Sequence, residues 1–494
     1  VAVSSLLLID VDGLRPDVFS DALLSGRLPG FASLLGGERL ERGWLQPVLS
    51  TAPSITFTSQ ASLFTGAHPA QHGIPGNEFF DRFGKHNQGA PRHYAFDVGD
   101  TLAVEDAVLV FSDSLSARCL ETPTLYEKLD TTGWRSMVAG HMYATGAETW
   151  LRPSLLQLAR FVIGGNLFGM SPAEFDQQTL DGLLTAIHRD GLPDLITLYF
   201  LGLDHESHTH GPQIQAEYLS SIIDPLVSRL WQTVQELHSA AGKDLPLCAV
   251  FSDHGHLAVP ADDQHSLRLA FPFERELGKL FDALGLDVLD VPGESLNCDA
   301  VVASNGGLAH VYSRNRKSRQ WAESPDFVQD VLPVGLAFWQ AHAYGRYSQK
   351  LQNALAGVLV RDVQHQGWDA RYQALTPQGS RCSLEDWFAD QPAHEYADPV
   401  NRLNNLAGPL CGDILLISNY ADGYYFAAPM KGMHGGLHPE DSFATMAFGM
   451  PGVLETEWQA ARAALQQAIQ TRCQVENGRQ PSTADLLTGL MALI

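Results

Sequence analysis

Unbroken apolar runs alternate with stretches of mixed polarity through the first half of the chain. Leu6–Ile9 is apolar without interruption and stops at Asp10-Val11-Asp12-Gly13. Asp194–Leu201 (DLITLYFL) and Leu245–Ser252 (LPLCAVFS) repeat that form. Continuous apolar runs of this length read as strands covered on both faces, as in a parallel sheet. Leu45–Leu49 and Gly133–Gly140 are further short strands. Pro16–Leu24, Thr122–Asp130, Leu155–Met170, Ala173–Asp190 and the long amphipathic segment Ile214–Ala241 read as helices. Residues 78–118 have no strong period and read as loops over a site or a small hairpin. The alternation predicts an α/β fold: a mostly parallel central sheet sandwiched between helices.

From Leu257 to Lys431 the rhythm breaks. Val301–Tyr312 and Val358–Arg361 read as strands beside Gly turns, and Val328–Leu355 contains helical pieces. Asp413–Ser418 returns to a strand, Ala444–Gly449 is an edge or core strand, and Glu455–Cys473 and Asp485–Ile494 are helices. The division expected is one α/β domain from residues 1–256 plus 411–494, with 257–410 as an inserted cap that partly completes the core.

Composition narrows the function classes. The chain has 494 residues, 45% of them hydrophobic, enough for a large core. Its formal net charge of −24 disfavours polymeric nucleic acid as a partner, since phosphate backbones require clustered Lys and Arg. No apolar stretch has the length of a membrane-spanning helix. Cysteines at 119, 248, 298, 382, 411 and 473 lack any CxxC or zinc-ribbon spacing, and Cys382 with Cys411 is a candidate disulfide around a loop. The chain opens at Val1 almost directly on its first strand, so a removed leader or a trimmed start is expected.

Polar clusters sit where the apolar runs end. Asp12 follows the first strand, Asp204 and His208 follow the second, and Asp253-His254 the third. The C-terminal ends of parallel strands are where α/β sheets place their chemistry. Asp204 and His208 are spaced to share a helical face. Gly255 permits the turn that lets Asp253 and His254 serve one ion. Two further elements stand apart: Thr56, opening a helix-like run that closes at Thr65-Gly66, and His434 in GMHGGLHPED. Carboxylate and imidazole donors suit Zn, Mn or Fe better than Ca or Mg. Two divalent ions would balance the charges of Asp12, Asp204, Asp253 and a Thr56 alkoxide, and such a pair suits an in-line displacement at phosphorus.

The set IDVDGLR, TFTSQASLFTGAHPAQHGI, DHESHTHGP, SDHG and MHGG resembles the alkaline phosphatase superfamily, and within it the type I phosphodiesterase / nucleotide pyrophosphatase group. The resemblance covers Val3 to about Gly449. It implies that Asp12, Thr56, Asp253 and His254 hold one metal and that Asp204, His208 and His434 hold the other, with Zn the expected ion and Mn the alternative. Thr56 would attack phosphorus and form a phosphothreonine. Asn77 would touch a phosphate oxygen or cap the loop. Ser59 occupies a position where many of these diesterases carry Asn, so it either reaches phosphate or supports the turn. The Lys-x-Arg pair of certain monoesterases has no counterpart in GHMYATGAETW, which favours diesters. A small phosphate ester is the expected partner, with monoesters, phosphonates and a catalytically inactive binding homologue as alternatives. A periplasmic or secreted location fits the group. Arg15 and Arg82 are either phosphate contacts or fold ion pairs. His205, His210, His256 and His438 read as loop histidines rather than ligands.

Overall fold

The computed structural model of the chain describes residues 2–97, 104–163, 169–268, 276–289, 293–294 and 297–494. Among the described residues the central sheet has seven strands: β1 (Leu6–Val11), β2 (Gly43–Leu45), β3 (Ser136–Ala139), β4 (Thr149–Leu151), β5 (Leu195–Phe200), β6 (Leu247–Phe251) and β7 (Met446–Gly449). Their order across the sheet is β2-β7-β6-β1-β5-β3-β4. β6, β1, β5, β3 and β4 run parallel; β7 is antiparallel to β6, and β2 to β7. β1 lies in the middle, and every residue of β1, β5 and β6 is buried. That burial is the cause of the unbroken apolar runs: neither face of these strands meets water.

The helices that matter for the site are α1 (Thr56–Thr65), α2 (Leu155–Ile163), α3 (Pro172–Asp190), α4 (Gly202–His210), α5 (Asp224–Ala241), α6 (Glu455–Val475) and α7 (Asp485–Met491). α3 and α5 pack on one face of the sheet, where Leu180, Leu183, Val227 and Trp231 meet Ile9, Ile196 and Val250. α1, α6 and α7 pack on the other, where Phe64, Trp458, Leu465 and Leu486 meet Leu8, Ala249 and Phe251. The sandwich expected from the sequence is present.

Details differ from the pattern-based reading. The single helix expected over Ile214–Ala241 contains a wider turn at Leu219–Ile223. Pro225 follows it, and a residue without an N–H cannot complete the regular ladder. The strand expected over Leu45–Leu49 is split at Gln46-Pro47 into β2 and Val48–Leu49. Residues 78–118 hold a hairpin, Glu78–Asp81 with Arg92–Ala95, followed by a helix, Val104–Ser112. The expected Leu155–Met170 helix is described as far as Ile163; residues 164–168 lie outside the described residues.

The region expected as an insertion is built on a second sheet. Its strands run Val288–Leu289, Ala300–Asn305, Leu308–Ser313, Ile414–Ser418, Leu355–Val360, Gln373–Leu375 and Arg381–Cys382 in spatial order. Ile414–Ser418, past the expected boundary at 410, is the middle strand of this sheet. All six cysteines are free, so the Cys382–Cys411 disulfide is not formed. Cys382 lies in the terminal strand of the sheet, whereas the buried Cys411 thiol donates to the Leu406 carbonyl at 3.0 Å.

One buried carboxylate fixes the start of α4. Asp176 on α3 accepts from the Gly202 N–H at 3.2 Å and from the Tyr218 hydroxyl at 2.8 Å. It takes a donor that the helix N-terminus leaves open. Burial pushes its carboxyl up from 3.8 to about 7. A raised carboxyl stabilises the fold in its protonated form, so this contribution is full below the ordinary value and is lost as pH rises through the folded one. Asp176→Asn keeps an acceptor for the Gly202 N–H and turns its amide N–H toward the Tyr218 hydroxyl, whose oxygen then accepts. Denaturant unfolding should therefore show the variant gaining on the wild type between about pH 4 and 8, by on the order of 2–4 kcal/mol. A difference that does not change with pH would contradict this.

Candidate active site

The C-terminal ends of β1, β5 and β6 deliver three acidic segments to one place. Asp12 follows β1 and its hydroxyl partner is Tyr199 of β5. Asp253 follows β6, and its Oδ1 accepts from the backbone N–H groups of Gly13 at 3.1 Å and His254 at 3.0 Å. These bonds lock the first and third segments together and leave Asp12 Oδ1 and Asp253 Oδ2 without a hydrogen-bond partner. Both free oxygens face the same atom: His254 Nε2 lies 3.5 Å from Asp12 Oδ1 and 3.3 Å from Asp253 Oδ2. Thr56, the first residue of α1, has its Oγ1 3.2 Å from that nitrogen as well.

The second cluster adjoins the first. α4 projects Asp204 and, one turn later, His208, with Nε2 of His208 3.5 Å from Asp204 Oδ2. His434 Nε2 is 3.6 Å from Asp204 Oδ1 and 3.0 Å from His208 Nε2. The His254 and His434 rings stack at 3.8 Å and join the two clusters. The ligand atoms of Asp12, Asp253 and His254 lie within 4.8 Å of one another, as do those of Asp204, His254, His256 and His434.

Tautomers decide what these imidazoles offer. His208 Nδ1 is 2.8 Å from the Gly432 carbonyl, His434 Nδ1 is 3.1 Å from the Ser54 carbonyl and His254 Nδ1 is 3.0 Å from the Gly255 carbonyl. A carbonyl only accepts, so each Nδ1 carries a proton, and a ring without a second proton turns a lone pair at Nε2 inward. Two such lone pairs 3.0 Å apart, on His208 and His434, repel unless a cation lies between them. Backbone carbonyls that fix the ring of a ligand histidine are the usual outer support of a metal site.

The electrostatics agree. Burial, and then the charges of Asp253 and Asp204, push the Asp12 carboxyl well above the usual range. Burial likewise raises Asp253. Asp204 is the exception: burial opposes its charge, but the imidazoles of His208, His256 and His434 hold it well below the usual range. Burial and the neighbouring His254 keep His434 neutral. The unpartnered oxygens of the buried Asp12 and Asp253 beside His254 fit one divalent cation, and Asp204 between His208 and His434 fits a second.

Other expectations need correction. Ser59 does not reach the cavity: its hydroxyl bonds Ser50 at 2.7 Å and Thr51 at 2.9 Å, which leaves it a support of the turn before α1. Asn77 lines the cavity, and its Oδ1 accepts from the Phe57 N–H at 2.9 Å, capping α1. His256, set aside from the sequence, lies inside the site, with Nε2 2.7 Å from Asp204 Oδ1. Its signal was the alternation in Asp-His-Gly-His, which returns His256 to the side of His254. Tyr199 was missed because it sits within an apolar strand. His210 pairs with Glu206, and His438 accepts from the Glu440 N–H. Arg15 pairs with Asp17 and Glu440 and the buried Arg82 with Asp413, so both arginines serve the fold.

The second sheet touches this centre through glycine. The hairpin between Ala300–Asn305 and Leu308–Ser313 turns at Gly306-Gly307, and the Gly307 N–H donates to the His434 carbonyl at 3.2 Å. Gly306 has φ +67, and a Cβ there would stand 1.8 Å from that carbonyl. The Tyr420 hydroxyl donates to the same oxygen at 2.8 Å.

The model of the type I phosphodiesterase / nucleotide pyrophosphatase family matches residues 6–383. The chain belongs to that family. It is thereby a member of the alkaline phosphatase superfamily and a metal-dependent hydrolase of phosphate esters. The match includes Asp12, Thr56, Asp204, His208, Asp253 and His254; His434 lies beyond it and joins them by geometry. Murine ectonucleotide pyrophosphatase / phosphodiesterase 5 has a similar fold, with a TM-score of 0.51 at 12% identity over 96% of this chain and 95% of that one. No curated protein matches the sequence.

Metal should act on stability in a way that separates charge from shape. Asp253→Asn removes a buried charge but keeps the Oδ1 acceptor. Metal-free Asp253→Asn is expected to melt above metal-free wild type. Added Zn should raise the wild-type melting temperature and raise the variant's by less than half as much, since ligand binding to the folded state is linked to stability. Equal Zn-induced shifts in the two proteins would exclude Asp253 from the donor set.

Proposed function

We propose that the chain hydrolyses phosphodiesters through a covalent phosphothreonine on Thr56. The position of Thr56 carries this reading: it opens α1, lines the cavity and stands 3.2 Å from His254 Nε2, beside the free oxygens of Asp12 and Asp253. In this reading Asp12, Thr56, Asp253 and His254 hold one ion, and Asp204, His208 and His434 the other. His256 orients the Asp204 carboxylate. The imidazole and carboxylate donors favour Zn, with Mn the alternative. A bound divalent pair would lower the pKa of the Thr56 hydroxyl and offset charge on the transferring phosphoryl group.

Thr56 Oγ1 forms the new bond to phosphorus while the bond to the leaving alkoxide breaks. The N-terminus of α1 turns the positive end of its dipole toward the phosphoryl oxygens, and Asn77 holds that terminus in place by accepting from Phe57. Water then attacks the phosphothreonine from the opposite side, releasing a phosphate monoester and restoring the threonine. Diesters are preferred to monoesters because the extra charge of a monoester needs added cations. Lys431 is the only Lys or Arg among the described residues that line the cavity.

Thr56→Ala is expected to lower kcat for bis(4-nitrophenyl) phosphate by at least about 10³-fold with the fold intact. Acid quench of the wild type during turnover should trap phosphate on Thr56, read by mass spectrometry. Full activity in Thr56→Ala would mean that water attacks directly.

A further inference from the structure

The cavity that opens at Thr56 has a volume of about 1100 Å³, far more than a phosphate and two small ester groups fill. Much of its wall is apolar, made by Phe96, Phe111, Met142, Leu158, Phe161 and Phe175. α2 supplies Leu158 and Phe161, the start of α3 supplies Phe175, and the helix Val104–Ser112 supplies Phe111. Phe161 packs on Phe175 with ring centroids 5.0 Å apart. Among the described residues, the charged side chains that line the cavity outside the proposed metal ligands are Glu78 and Asp97, with Lys431 as the one Lys or Arg. A leaving group with further phosphates would meet more negative than positive charge there.

The apolar surface also continues outward. Leu155, at the start of α2, lines the cavity and is still 59% exposed, and the adjacent Leu156 is 70% exposed. Exposed leucines beside an apolar cavity mouth suit a ligand that arrives with its own hydrocarbon.

We propose that one ester group of the substrate is a long alkyl or acyl chain, lying along the wall from Phe96 to Phe175 and entering past Leu155. This rests on the reading of Thr56 as the point where the phosphoryl group is held. It makes the substrate an amphiphilic phosphodiester rather than one with a polyanionic leaving group.

Binding tests the chain site without turnover. The Zn-loaded protein is titrated calorimetrically with n-alkylphosphonates from methyl to octyl, whose C–P bond is not hydrolysed, below their micelle concentrations. Kd should fall by about two- to fourfold for each added methylene, the gain expected from transferring it out of water. In Leu158→Asn, a part-exposed helix position, that gain should shrink by at least half. A Kd independent of chain length overturns the proposal. So does an undiminished gain in Leu158→Asn combined with Phe161→Ser, which would locate the chain elsewhere, or tighter binding of a nucleoside 5′-phosphonate than of octylphosphonate. The two readings fail separately. A steep chain-length series without diester turnover keeps the chain site and discards the Thr56 mechanism. Diester turnover with a flat series does the reverse.

Discussion

Three carboxylates and four imidazoles converge in a space from which water is largely excluded, and they do not neutralise one another. Asp12 and Asp253 each turn an oxygen without a partner toward His254, while His208 and His434 face each other through nitrogens whose other ring atoms already donate to carbonyls. A folded chain tolerates such a centre only if cations are bound there or the rest of the structure holds the groups against their repulsion. The second condition is visible throughout. Backbone N–H groups of Gly13 and His254 pin Asp253, the Tyr199 hydroxyl pins Asp12, and Asp176 fixes the helix that carries Asp204 and His208.

The sheet is what makes this affordable. Asp12, Asp204 and Asp253 descend from adjacent strands in the order β6-β1-β5, so one register brings their ends together. The helix of Thr56 packs on the opposite face of the sheet from α3 and α5 and enters the centre end-on. Every side chain of α1 is buried, and most of its polar groups find internal partners: Gln60 Oε1 in His141, Ser62 in His72 and Ser59 in Ser50 and Thr51, while Thr58 Oγ1 and Gln60 Nε2 have none. A nucleophile on such a helix has little freedom to wander.

This burial also explains what could and could not be read from the chain. β1, β5 and β6 were legible because burial on both faces leaves an unbroken apolar run, and the ligand candidates were legible because they sit where those runs stop. Ser59 was left between two roles because α1 has no exposed face, so no polarity pattern says which side meets the cavity. His256 was passed over because the segment after Asp253 reads as a loop, although its alternate spacing from His254 brings it against Asp204. The second sheet resisted reading for another reason. Its middle strand, Ile414–Ser418, pairs antiparallel with strands more than 50 residues earlier and arrives after the segment had been expected to end.

The glycine contact between the second sheet and His434 has a bearing on how such a protein can change over time. The outer strands of the second sheet lie several ladders from the centre, and substitutions there alter the fold's periphery. Its turn at Gly306-Gly307 is different, because the His434 carbonyl occupies the space where any side chain would begin. Variation in this half of the molecule is therefore graded. The far edge is open to drift and to new attachments, while the innermost turn inherits the constraints of the chemistry it never performs.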